Sequence, residues 1–342
     1  MHQCFVLVAL IASVLTSGVA SSWGSADIAI YDFTKSAVIG IASNRWREVV
    51  IDASPKQTNF FTITRLDAPK LIIRERGENG TILSELELPF FVSGYAGHNW
   101  IKMSPDHKRI AFHNSETKGL SVLALQSRQQ RDFLQNEFNF QDDILLMRWL
   151  STNTVLLLKG KIGAEVATTG QILKINVDSG EIQSWPRSLD GTMTAHALGQ
   201  SGRFLATVGY DRGSKIVILD VATMKETKEL PAVKPDQWIA DVWWLDDDKR
   251  LAFSDVGNGV FCYSMNTGEI NRITPEGNRR YFLEGAIGKC VVLRKQSLWS
   301  LGRPRFVLQD VVTGKSTTLD AYLNGFVYGI AGNTKFVMEV GY

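Results

Sequence analysis

Residues 199–231 read GQSGRFLATVGYDRGSKIVILDVATMKETKELP. Three extended runs lie in this stretch, at 204–210, 215–220 and 226–230, each rich in β-branched or apolar residues. Turn clusters bound them: Gln200-Ser201-Gly202, Asp211-Arg212-Gly213-Ser214 and Ala222-Thr223-Met224-Lys225. Gly, Ser and Asp enter turn backbones cheaply, whereas the runs between them favour extended chain. The stretch therefore reads strand, turn, strand, turn, strand. A lone antiparallel unit of this size cannot bury both of its faces, so it is expected to recur and stack.

It recurs along the chain. Hairpins of the form strand, polar turn, strand fall at 27–40, 70–88, 119–134, 172–185, 216–230, 260–273 and 305–319. Their starts are about 43 to 53 residues apart, the repeat length of a β-propeller blade. Asp178-Ser179-Gly180, Asn266-Thr267-Gly268 and Val312-Thr313-Gly314 place Gly at matching turn positions, where a positive φ costs little. More apolar strand pairs lie between the hairpins, at 48–53 with 59–64, 100–104 with 109–113, 144–150 with 155–158 and 239–245 with 250–254. One such pair plus the following hairpin makes a four-stranded blade.

The chain opens with an outer hairpin and finishes with an inner pair at 326–331 and 335–340. Joined, these halves complete one blade. The expected fold is all-β: a seven-bladed β-propeller of four-stranded antiparallel blades, with the ring closed by strands from both ends of the chain.

Composition bounds the function. Apolar residues make up 44% of the chain and charged residues 21%, which suits a large globular core. With 37 basic and 35 acidic residues the net charge is +2, so no global field favours nucleic acid or an anionic membrane. Residues 1–22 carry an apolar run of about a dozen residues followed by small residues, with Gly18-Val19-Ala20 matching a small-x-small cleavage site. Residues 1–20 therefore read as a secretory signal peptide cut near Ala20, and 21–342 as a single secreted or periplasmic propeller domain, monomeric and without a transmembrane segment. Cys262 and Cys290 read as buried free thiols, with one bridge as the alternative in an oxidising compartment. Asn79-Gly80-Thr81 is a glycosylation sequon in a hairpin turn.

The run Ser104-Pro105-Asp106-His107-Lys108-Arg109-Ile110-Ala111-Phe112 resembles the S-P-D-G-x-x-I-A-F run of TolB-type and related WD-like propellers. Residues 245–253 and 201–206 are looser copies, and His107 stands where that family usually has Gly. The resemblance implies the fold. The family spans periplasmic binding proteins, peptidase-linked propellers and some lyases, so the fold alone does not assign a function.

No G-x-S-x-G elbow or P-loop is present, and no His pair stands at metal-ligand spacing. No cofactor and no metal ligands are therefore expected. Asp246-Asp247-Asp248 reads as a polar hairpin turn offset by Lys249 and Arg250 rather than as a calcium loop. His107 and His113 read as solvated or structural, whereas His98 and His196 fall near the starts of innermost strands.

The most suggestive pattern is positional. Trp46, Trp100, Trp238, Tyr281 and Phe326 all stand where an innermost strand begins, so they should ring one mouth of the channel. Arg45, Arg279, Arg280, His98, Asp142, Asp143, Asp190 and Asp236 lie at the same level. Aromatic and Arg side chains are the usual anchors of binding surfaces. The alternative use of the rings is packing between blades, which leaves the charged loop residues as the contacts. The expectation is a non-catalytic scaffold that binds a protein or peptide at this mouth. The alternatives are a polysaccharide lyase or hydrolase with a channel site, and a lectin whose aromatic rings stack on a small saccharide.

Overall fold

The structure is a computed structural model. It describes residues 26–35, 37–43, 48–53, 57–64, 72–88, 101–114, 116–138, 144–159, 171–185, 195–210, 214–231, 239–255, 257–275, 281–295, 305–319, 327–330, 332 and 335–339. Among these residues the 28 elements are strands, paired in seven antiparallel four-stranded sheets.

Blade 1 is composite. Its outer strands are β1 (Ala26–Asp32) and β2 (Ala37–Ser43), and its inner strands are β27 (Val327–Ile330) and β28 (Lys335–Glu339). β1 pairs with β28 in the register Ala29 to Met338 and Tyr31 to Phe336. The two ends of the chain thus share one sheet, as the unpaired sequence halves require, and this pairing closes the ring.

The other blades run in chain order from the channel outwards. Blade 2 holds β3 (Glu48–Ala53), β4 (Asn59–Thr64), β5 (Ile72–Gly77) and β6 (Ile82–Glu87). Blade 3 holds β7 (Ile101–Met103), β8 (Arg109–Asn114), β9 (Gly119–Ala124) and β10 (Gln130–Phe133). Blade 4 holds β11 (Ile144–Ser151), β12 (Thr154–Lys159), β13 (Gln171–Asn176) and β14 (Ile182–Ser184). Blade 5 holds β15 (Ala195–Leu198), β16 (Phe204–Tyr210), β17 (Ser214–Asp220) and β18 (Lys225–Pro231). Blade 6 holds β19 (Ile239–Leu245), β20 (Arg250–Asp255), β21 (Gly259–Ser264) and β22 (Ile270–Arg272). Blade 7 holds β23 (Tyr281–Ile287), β24 (Cys290–Lys295), β25 (Arg305–Asp310) and β26 (Ser316–Leu319).

Burial follows position within the blade. The second strand is covered by a neighbouring blade on each face, so it reads as a continuous apolar run: Val155 to Leu158 in β12 are wholly buried. The outermost strand faces solvent, and β14 and β22 are exposed along their length. The core is not one body. Among the described residues seven apolar clusters appear, each bridging two adjacent blades, and together they go round the ring.

The smallest cluster joins blades 1 and 2 through Ile28, Ile30, Val337, Val50 and Phe60. On the same face of blade 2 lies a buried ion pair, with Arg76 Nη2 2.9 Å from Glu48 Oε2. Thr62 Oγ1 donates to the same carboxylate at 2.6 Å, and Arg74 joins from the neighbouring position. Lys335 bridges to Glu78 at 2.8 Å across the boundary between these blades. The seam beside the closing blade is therefore part polar.

One turn repeats in the outer hairpins. Gly80, Arg128, Gly180, Met224, Gly268 and Gly314 hold matching positions, each with φ between 55° and 84°. The turn is opened by Asn176, Asp220, Ser264 or Asp310, whose side-chain oxygen accepts a backbone N–H two or three residues on. Such local bonds give the chain a reason to turn there rather than extend. They also hold the Asp220 carboxyl below its ordinary range, the Thr223 N–H acting first.

Two inner turns gain contacts between blades in three dimensions. Of the solvated and structural uses expected of His107, the structural one is seen: its ring lies 4.3 Å from the Phe61 ring, and its Nε2 lies 2.9 Å from Gln57 Nε2, so it ties blade 3 to blade 2. Asp246-Asp247-Asp248 forms a turn, and Arg250 pairs with Asp246 at 2.5 Å, but Asp248 is only 5% exposed. Its carboxylate packs over Gly199 and accepts a bond from Ser201 of blade 5. A side chain at position 199 would occupy the space of that carboxylate, which is why the residue there has none. Cys262 and Cys290 are both free thiols, and burial pushes each to about 11.

Candidate functional site

The innermost strands β19 and β23 lie side by side, and each carries a β-bulge near its start. In β19 the register skips Ala240, and in β23 it skips Glu284. A bulge inserts one residue without a cross-strand partner and re-aims the side chains around it. Here the bulges place an acid from each of two otherwise apolar strands, Asp241 and Glu284, close enough to repel one another.

Asp241 is half-buried. Its backbone N–H donates to Ser254 Oγ at 3.0 Å, and that hydroxyl donates back to Asp241 Oδ2 at 3.3 Å. Burial, and then the Glu284 charge, push its carboxyl up to about 6, against the pull of Ser254 and Arg294. Glu284 is held differently, accepting a bond from Arg294 Nε at 2.5 Å. The two carboxyls thus sit in unlike surroundings: one accepts a proton near neutrality and the other is tied to a guanidinium.

Aromatic rings with cations over them stand beside this pair. Phe282 lies opposite Arg294 in the sheet register, and the guanidinium carbon sits 4.6 Å from the ring centre. Tyr281 lies opposite Lys295, whose ammonium is 5.6 Å from its ring centre. Tyr281 is partly buried against the cluster between blades 6 and 7, whereas Phe282 is 37% exposed. An exposed ring capped by a guanidinium presents apolar area and charge at once, which is the chemistry of a binding anchor.

Of the residues singled out at the channel mouth, the structure places Tyr281, at the start of β23. Arg45, Trp46, His98, Trp100, Asp142, Asp143, Asp190, Asp236, Trp238, Arg279, Arg280 and Phe326 lie outside the described residues. His196 lies half-buried in β15, the innermost strand of blade 5. Among the described residues no three His, Cys, Asp or Glu side chains converge as a metal centre, and no helix is long and apolar enough to cross a membrane.

Asp241, Glu284, Phe282 and Arg294 escaped the sequence reading. The available signal was an acid inside an apolar innermost run, IADVWWL and YFLEGAI. An acid in such a run is costly to bury without a partner. No protein-family model matches this chain, and no curated protein matches it.

Proposed function

We propose that the protein is a secreted or periplasmic TolB-type propeller without a catalytic role, and that it binds a protein or peptide at the channel mouth. The observation that carries this reading is Phe282 standing exposed under Arg294, with Tyr281 and Lys295 paired beside it at the start of β23. Arg279 and Arg280 precede that strand directly in the chain and extend the same chemistry. The TolB-type assignment draws support from the Ser104 turn. Its hydroxyl donates to Asp106 Oδ1 at 2.7 Å and accepts the Arg109 N–H at 2.9 Å, which gives the Ser and Asp of that run a structural purpose.

The test has two arms. The mature chain recovered from the secreting cell should begin near Ser21, and a chain that keeps residues 1–20 removes the secretion reading. A photo-crosslinking side chain at position 282 should capture one partner from that compartment. Phe282→Ala should weaken the same partner by about 30-fold, the cost of truncating a binding anchor. A captured partner that binds the wild type and Phe282→Ala equally overturns the mouth as the binding face.

One observation favours a second reading. An Asp241 carboxyl near 6, beside a Glu284 held by Arg294, is a pair suited to general acid and base work on a polysaccharide in the channel. Turnover of a polyanionic or neutral glycan by the wild type, lost in Asp241→Asn, would place the protein among the lyases or hydrolases.

A further inference from the structure

A groove opens on the face opposite the channel mouth, between blades 3 and 4, with a volume of about 560 Å³. Val122, Ala124 and Val177 give it apolar surface, and Arg109, Arg131 and Asp178 carry its charge. Its size falls within the range of preformed ligand pockets, roughly 300 to 1,000 Å³. It is too small for a folded partner and large enough for a few side chains.

The charges in it do not cancel. Arg109 Nη1 pairs with Asp178 Oδ1 at 2.7 Å, which accounts for one guanidinium. Arg131 donates instead to two carbonyls, Val177 O at 2.9 Å and Asp178 O at 2.5 Å, and its guanidinium carbon lies 5.3 Å from the Phe133 ring centre. Carbonyls fix a guanidinium without neutralising it. Among the described residues Arg131 has no carboxylate partner, so the groove keeps one net positive charge on a rigidly held donor fork. A fork already fixed in place loses little freedom when it meets an oxyanion.

The neighbouring backbone suggests what carries that oxyanion. Arg131 lies in β10, the outermost strand of its blade, and among the described residues no further strand pairs with the outer edge of β10. An extended chain laid along that edge gains main-chain hydrogen bonds, and its alternate side chains reach one face of the strand. We infer that this groove receives an extended acidic peptide, whose carboxylate meets Arg131 while Asp178 competes for Arg109.

The experiment titrates the full chain with a capped tetrapeptide bearing two glutamates, with its glutamine counterpart, and with inorganic phosphate. The acidic peptide should bind at least about tenfold tighter than the glutamine form, since a carboxylate on a guanidinium outranks a neutral amide. Asp178→Asn removes the competing carboxylate and keeps the turn, whose backbone bonds come from the main chain and Asn176. It should tighten the acidic peptide about three- to tenfold, whereas Arg109→Gln should loosen it by a similar factor. Phe282→Ala, at the other face, should leave this binding unchanged, so the groove and the mouth are judged separately. Equal binding of the two peptides, or no response to Asp178→Asn, overturns the inference. Phosphate that displaces the peptide at equal concentration overturns it too, because the groove would then recognise the anion and not the chain that bears it.

Discussion

The indole N–H of Trp149 donates to the carbonyl oxygen of Lys102 at 3.0 Å, joining the innermost strand of blade 4 to that of blade 3. Trp244 does the same to Ala197 at 3.0 Å, between blades 6 and 5, and each bond spans 47 residues. The two are one device used twice. A large ring fills the wedge between blades near the channel, and its single donor is satisfied by a main-chain carbonyl of the neighbouring innermost strand.

Replacing either ring by Phe keeps most of the apolar area and deletes the donor. Trp149→Phe and Trp244→Phe should each lower unfolding stability by about 1 kcal/mol, the net worth of the hydrogen bond that is lost. The two serve separate interfaces, so the double variant should lose close to the sum in urea titrations. A strongly sub-additive double variant would mean that the interfaces are coupled through the ring.

Asp241 links the site to pH. Its carboxyl is raised to about 6, chiefly by burial and then by Glu284. The native state therefore takes up this proton more readily than the unfolded chain. The resulting stability is full below about pH 4, falls as pH rises through 6, and is gone above that. Asp241→Asn should raise stability at pH 7.5 by about 1–2 kcal/mol, allowing for solvent screening of a half-buried group, and should change little at pH 4. Melting curves at the two pH values check this, and an equal shift at both would remove the titration of Asp241 as the cause.

The repeated outer turn predicts opposite signs for opposite exchanges. Arg128 and Met224 hold φ of 58° and 55° where other blades have Gly. A left-handed conformation costs an L-residue about 1–2 kcal/mol, so Arg128→Gly, at an exposed position, should stabilise by about 1 kcal/mol. Gly314 has φ of 72° with nothing within 4 Å of an added Cβ. Gly314→Ala should therefore destabilise by about 1 kcal/mol through the backbone alone. Differential scanning calorimetry of the two variants decides it.

At the blade 1–2 seam, Arg76→Met would leave Glu48 buried with one guanidinium fewer. Stripping one member from a buried pair typically costs about 3–5 kcal/mol. Exchanging both, Glu48→Leu with Arg76→Met, should recover most of that loss, because two apolar side chains then replace two desolvated charges. Chemical denaturation of the single and the double variant separates the outcomes. A double variant no more stable than the single one would mean that Arg74 and Thr62 depend on the carboxylate.

Strand positions, blade count and the composite closing blade were legible along the chain. Each depends on a signal within one repeat: an apolar run, a Gly-bearing turn, a hairpin lacking its inner pair. The candidate site was less so, and of the mouth residues read from sequence the structure places Tyr281. The sequence alone determined that the blades exist and in what order they stand, because strand and turn preferences act over a few neighbouring residues. Tertiary structure alone decided what meets between blades. His107 reaches Gln57, Asp248 is covered by Ser201, and Glu284 raises Asp241, each pair about one repeat apart in the chain. The physical reason is the architecture itself. A blade buries both faces against neighbours one repeat away, so its contacts and the electrostatics of its acids follow from how bulged, twisted sheets pack.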